Sequence, residues 1–400
     1  MDTRNRNAAL LHHLPFSRAS LLELLCAAFP AEAEALRRFS ALLTAHYHAR
    51  FHARLETLKR AYAPFNPDAA DTNLPPDAKT FLTTLEAVLR DGNYVEIPEA
   101  EVHRSVLGEG IFPVSCEVDF HALELARVFA LGESHDVLRT RSLGMVEREL
   151  RFDTYRMVFM LLRFRPPVEP TTTLGRLWQR LWPTRTGVPG KLYLKLLKNV
   201  PKADLEILFP NPRPRMKPLH KLKIAIPLVT GVGILVHQWV VGPMLRGESP
   251  LSGSMSATLF AVVVALAGYI YKTWSNYRAQ VREFLSEITH SLYFRSLATN
   301  AGVFHVLNDA AEEEESKEAL LAYHFLRVSG ASTEKALDEA VQDWLADHGY
   351  SVDFESDDAL RKLKELFLIR TDEKGHCSAV AMVDAIRTLE DAWRRSIASG

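Results

Sequence analysis

The chain has 400 residues, with 48 Lys and Arg against 49 Asp and Glu, a net charge of −1, and 47% hydrophobic and 24% charged residues. These values exclude a disordered chain, a collagen-like repeat and a many-spanning transporter, and a neutral balance gives no whole-chain attraction for nucleic acid. The cysteines Cys26, Cys116 and Cys377 lie far apart, with no CxxC and no His at zinc-ligand spacing. That pattern excludes a zinc ribbon and a disulfide framework and fits a reducing compartment.

Residues 1–30 hold Leu-rich stretches but no apolar core followed by a small-residue cleavage site, so no export signal is expected. From 17 to 62 the apolar residues Leu21, Leu24, Leu25, Leu36, Phe39, Leu43, Tyr47, Phe51 and Leu55 recur at three or four, which predicts helix. Four prolines between 64 and 77 mark a loop, and a helix over about 79–90 ends at Asp91-Gly92. Residues 92–166 read as a small α+β unit, with TYRMVFMLLRFR as a buried strand stopped by Pro166-Pro167. A linker follows to about 190, broken by the amphipathic patch LGRLWQRLW (174–182). With Trp178, Trp182, Arg176 and Arg180, that patch suits a membrane surface or a docking helix equally.

Ile224 to Leu245 is 22 residues without Asp, Glu, Lys or Arg, and Leu251 to Tyr271 is 21 more. At about 1.5 Å per residue each reaches roughly 30 Å, the thickness of a bilayer's hydrocarbon core. Tyr269, Tyr271 and Trp274 fall where an aromatic belt would stand. Between 191 and 223 nine basic residues face two acidic ones, with Arg213, Arg215, Lys217, Lys221 and Lys223 nearest the first stretch. Lys272, Arg278 and Arg282 follow the second, while the connection RGESP is balanced. This asymmetry predicts a hairpin with both ends on the cytoplasmic side and a collar contacting anionic headgroups. Ala257, Ala261, Ala265 and Gly268 form a small-residue stripe for close helix packing, with Gly231 and Gly233 as its counterpart. His237 and Gln238 lie near mid-span and read as interhelical hydrogen-bond glue; a proton or ion path through them would require a homo-oligomer.

Beyond the hairpin, 277–297 reads as a charged helix and 299–302 as a break. A helix over 303–328 then carries Asp309, Glu312, Glu313, Glu314 and Glu315. His305, Asp309 and Glu313 are spaced to share a face, but no second cluster completes a metal site, so a solvated acidic face is expected. The last segment has a winged-helix outline: helices over about 312–329, 333–348 and 357–367, two short strands in LIRTDEKGHCSAV (368–380), and a closing helix from 381 to 395. From 333 to 400 nine Lys and Arg stand against fifteen Asp and Glu. An acidic module lacks the charge for phosphate contacts, so protein rather than nucleic acid is its expected partner. No nucleophile-elbow, P-loop, zincin or dinucleotide motif occurs, and no catalytic residue, metal or cofactor is assigned.

The segment KLLKNVPKADLEILFP (195–210), followed by basic residues and the hydrophobic hairpin, resembles the transmembrane protein 143 family, a domain of unknown function. SLYFRSLATNAGVFHVLNDAAEEEESKEALLAYHFL (291–326) is similar to the same family, and HHLPFSRASLLELL (12–25) and VDFHALELARVFALG (118–132) resemble it more loosely. Family members often show Arg-Gly where this chain has Leu131-Gly132, so no role for that Arg carries over. The resemblance implies an integral membrane protein with large soluble flanks, mitochondrial in eukaryotic members and in the plasma or inner membrane of bacterial ones. It also implies that residues 1–30 belong to the fold, and it supplies no reaction.

The expected architecture is mainly α with a smaller α+β N-terminal part. Its segments are an N-terminal domain (1–166), a linker and basic collar (167–223), a transmembrane hairpin (224–271), a membrane-proximal helix (272–311) and a winged-helix-like domain (312–400). A membrane-anchored scaffold recruiting protein partners is the leading expectation. A tethered enzyme acting on lipid or phosphorylated substrates and a subunit of an oligomeric ion or proton pathway are the alternatives.

Overall fold

The computed structural model describes residues 13–69, 75–105, 115–117, 120–142, 146–166, 187–202, 205, 208–209, 213–215, 229–230, 233, 253–354 and 356–398. The chain divides into two compact units. The first holds 1–99, 121–201 and 296–400; the second holds 100–120 and 202–295.

In the first unit, α1 (Arg18–Ala28) starts at Ser17, whose hydroxyl accepts the Ser20 N–H and so satisfies one of the orphan donors of the first turn. The helix expected over 17–62 breaks at Phe29-Pro30, because a proline disfavours helical backbone in the residue before it. It resumes as α2 (Ala33–Tyr62), which buries Leu36, Phe39, Leu43, Tyr47, Phe51, Leu55 and Leu58. The helix α3 (Ala78–Asp91) is capped by Asp77 and ends at Gly92, with Asn93 in the left-handed region at φ 58°.

The sheet of this unit has strands β1 (Val95–Ile97), β3 (Leu123–Ser142), β4 (Val146–Phe164), β5 (Leu192–Pro201) and β7 (Ser296–Thr299). They lie in the order β1-β3-β4-β5-β7, all antiparallel. Without the second unit's two strands, this is a meander in chain order. The central strand β4 is buried on both faces, Phe159 and Leu161 on one and Val158, Met160 and Leu162 on the other, which is why its sequence reads as a continuous apolar run. Phe129, Leu131, Phe159, Leu161, Leu194 and Leu196 join the helices in one core. The sheet therefore continues past Pro166 into β5, which carries Lys195 and Lys198 of the basic segment. Lys195 is half-buried there, and burial lowers its ammonium pKa.

After β7 comes α6 (Ala301–Ser329), the axis of the unit. It packs on α2, α3, α7 (Glu334–Asp347) and α8 (Ser356–Glu365). A hairpin of β8 (Ile369–Thr371) and β9 (Cys377–Ala379) follows, then α9 (Met382–Ala398), which returns to α2. N- and C-terminal thirds of the chain thus share one hydrophobic core.

The second unit contains α4 (Glu99–Ser105) from its second residue on, a pair of short strands, β2 (Ser115–Glu117) and β6 (Arg213–Arg215), and α5 (Gly253–Arg295). Phe120 meets Phe209 edge to face at 5.1 Å. Along α5, Val264, Tyr269, Tyr271, Trp274, Tyr293 and Phe294 are exposed, and the Arg278 guanidinium lies 4.6 Å from the Trp274 ring centre. Among the described residues no helix is long and apolar enough to cross a membrane. Residues 234–245 and most of 224–233 fall outside the described residues, and so do the side chains of 253–263.

Candidate functional site

The acidic run on α6 is the chemically unusual part of the molecule. Glu312, Glu314, Glu315 and Glu318 are buried, and so is Lys317. This corrects the expectation of a solvated acidic face: the carboxylates turn into the interior because partners remote in sequence meet them there. Buried charge persists only where it is paired and hydrogen-bonded.

One cluster forms where α8 crosses α6. The Lys362 ammonium, 2% exposed, lies 2.9 Å from Glu315 Oε2, 2.8 Å from Glu318 Oε2 and in contact with Asp358 Oδ2. Its three N–H groups therefore have three carboxylate acceptors. Asn93, from the turn after α3, donates to Glu318 Oε1 at 3.0 Å. Burial raises the Glu315 carboxyl to about 7, against the opposing attraction of Lys362. Burial also acts to raise Asp358, but Lys362 and Arg361 outweigh it and hold that carboxyl below its ordinary value. Tyr47 approaches from α2; among the described residues its buried hydroxyl has no hydrogen-bond partner.

A second cluster binds the N-terminal segment. Glu314 Oε2 pairs with Lys317 Nζ at 2.7 Å, and Glu314 Oε1 accepts the Leu14 N–H. The same ammonium donates to the carbonyls of Leu14 at 2.9 Å and Phe16 at 3.0 Å. Glu313 accepts the Arg18 N–H at 2.8 Å, at the open end of α1, where a carboxylate is favoured by the helix dipole. Glu312 meets His48 Nδ1 at 3.1 Å. Four consecutive carboxylates thus face four different partners.

The residues singled out from sequence fare unevenly. His305 and Asp309 are exposed on α6 while Glu313 is occupied by the Arg18 backbone, and no group of three metal-ligating side chains occurs among the described residues. Arg213 and Arg215 lie on β6. Lys217, Lys221, Lys223, His237, Gln238 and Gly231 lie outside the described residues, as does the patch 174–182. Ala257, Ala261, Ala265 and Gly268 follow one another along α5; Ala265 and Gly268 are exposed, and a methyl group at Gly268 would touch nothing within 4 Å. Lys317 and Lys362 were missed. Their only sequence signal is a lysine at helical spacing inside or opposite an acidic run, which surface ion pairs share.

A family described as a protein of unknown function, DUF3754, matches residues 155–302, from β4 to the first turn of α6. The match gives no link to the transmembrane protein 143 family by name. No solved structure matches the chain.

Proposed function

We propose that this chain is a two-span membrane protein whose flanks build an interaction body on the cytoplasmic side, a scaffold that recruits protein partners. The reading is carried by one observation. The 21-residue charge-free stretch 251–271 enters the 43-residue helix α5, whose exposed aromatic residues begin where the stretch ends. A soluble helix that left this run against water would be disfavoured by the hydrophobic effect. The 22-residue stretch before it supplies the returning rod, the collar Arg213, Arg215, Lys217, Lys221 and Lys223 the headgroup contacts, and the stripe Ala257–Ala261–Ala265–Gly268 the packing seam. His237 and Gln238 are then interhelical glue. The resemblance to the transmembrane protein 143 family supports the same assignment, in a plasma, inner or mitochondrial membrane according to the source.

The closing segment, three helices (the end of α6, then α7 and α8), a hairpin and a last helix, fits a winged-helix-like module that contacts protein. Its third helix, α8, buries Lys362 in the carboxylate cluster, out of reach of phosphate, and sets Arg361 between Asp358 and Glu365.

Membrane extraction tests the anchor. The chain should stay in the pellet in alkaline carbonate and be released by detergent, with both termini cleaved in inverted vesicles but protected in intact cells. Release by carbonate, or cleavage of a terminus from outside, overturns it.

A further inference from the structure

The Glu314–Lys317 pair does something a purely structural ion pair need not do: it reads main chain. Lys317 spends two of its three donors on the carbonyls of residues 14 and 16, and Glu314 takes the N–H of residue 14. None of these contacts depends on a side chain of the segment they hold. Between the two anchor points stands Pro15, which lacks an N–H, fixes its own φ and pushes Leu14 toward extended backbone. One residue further, the Phe16 ring packs edge-on against Tyr350 at 4.6 Å and near Trp344 at 6.3 Å, and Trp344 in turn meets Phe325 at 6.0 Å. A preset extended segment, held by its backbone beside an aromatic wall, has the elements of proline-containing peptide recognition. Burial falls along the segment: His13 and Leu14 are buried, Leu14 in the hydrophobic core, Pro15 and Phe16 are partly so, and Ser17 is exposed.

We propose that residues 13–17 are an intramolecular ligand in a docking cleft for Leu-Pro-aromatic segments of partner proteins, and that such a segment displaces them. The proposal rests on the interaction-protein half of the proposed function and is independent of the membrane anchor. Tethering gives the resident segment an effective concentration of the order of millimolar, so the cleft is closed by default and opens to a partner that competes with it.

The probe is a fluorescent synthetic peptide of residues 12–20, HHLPFSRAS, added to the purified full-length chain. A variant with Leu14→Ala and Phe16→Ala, which weakens the resident segment, should bind it saturably. The unaltered chain should bind at least about tenfold more weakly, and adding Lys317→Met to the weakened variant should abolish binding. A folded Leu14→Ala, Phe16→Ala chain that does not bind, or binding that survives Lys317→Met, overturns the proposal. Should that variant fail to fold, hydrogen exchange on the unaltered chain decides. The amides of Leu14, Phe16 and Arg18 should exchange at least about a hundredfold faster than those of Leu320 and Leu321; equal rates overturn it. A chain that binds the peptide yet leaves the membrane in carbonate keeps this site and loses the anchor.

Discussion

Lys362 is the cation facing two buried carboxylates, Glu315 and Glu318, and it shares the half-buried Asp358 with Arg361. Lys362→Met should therefore cost about 3–5 kcal/mol, the usual penalty for breaking a buried pair from one side, measurable by urea denaturation. Glu315 and His324, both on α6, make opposite contributions to pH dependence. Glu315, raised by burial from 4.5 to about 7, keeps a proton in the folded state that the unfolded chain releases. Its contribution is full below pH 4.5 and is lost as pH rises to about 7. His324, lowered by burial from 6.5 to about 4, contributes stability above pH 6.5 that is lost as pH falls toward 4. The two slopes oppose each other between about pH 4.5 and 6.5, so the unaltered chain should show little net change there. Glu315→Gln should make stability rise with pH across this window, and His324→Leu should make it fall, each by up to about 1.4 kcal/mol per pH unit. Denaturation midpoints at pH 5 and 6.5 check both signs. From sequence these carboxylates read as a solvent face because helix periodicity reports spacing, not which remote lysine arrives opposite.

Two backbone positions fix how the elements join. Gly132 interrupts β3 at φ 64°, and a methyl group there would lie 2.6 Å from His13 Cε1. His13 Nε2 in turn lies 2.7 Å from Arg156 Nη1 on β4. Gly132→Ala should therefore both strain the strand and push His13 out, speeding exchange of the Leu14 amide more than that of the α6 amides. Asn300 stands between β7 and α6 at φ 48°, ψ −128°, a conformation suited to glycine. Its side chain accepts the Leu194 N–H at 3.2 Å and donates to Asp68 at 2.6 Å, while its own N–H reaches the Leu194 carbonyl. Asn300→Ala should cost about 2 kcal/mol and Asn300→Gly less, because glycine relieves the strain that alanine keeps; thermal melts of the pair check the order. A break near residue 300 was legible from Thr-Asn-Ala-Gly, although it falls on Asn300 with Ala301 already in α6; the α3 stop, the hairpin of β8 and β9, and the buried strand β4 were legible too. In each, local chemistry and tertiary demand agree. The split of the first long helix at Pro30 also follows local chemistry, but the apolar periodicity continues across it and reads as a single helix.

At the scale of the molecule, the order of residues along the chain conceals which of them share a core. Phe39 stacks on Tyr323 at 4.2 Å, Tyr62 meets Phe304 at 5.0 Å, and the Tyr62 hydroxyl donates to the Leu192 carbonyl at 2.7 Å. Composition and periodicity identify the pieces; only long-range burial joins the first sixty residues to the last hundred. Residues 296–400 expressed alone should consequently lack cooperative unfolding, and co-expression with 1–201 should restore it, as circular dichroism melts would report. Independent cooperative folding of the C-terminal piece would contradict the shared core.

The meander carries a practical corollary. The backbone departs after β1 and comes back in β3, and departs after β5 and comes back in β7, each time into the adjacent antiparallel strand, with Ile97 beside Val128 and Leu197 beside Ser296. Both detours can therefore be cut away and their stumps sealed by tight turns of a few residues, because the ends already stand side by side. What is left would be a minimal cassette of the five-stranded sheet and the helices that share its core.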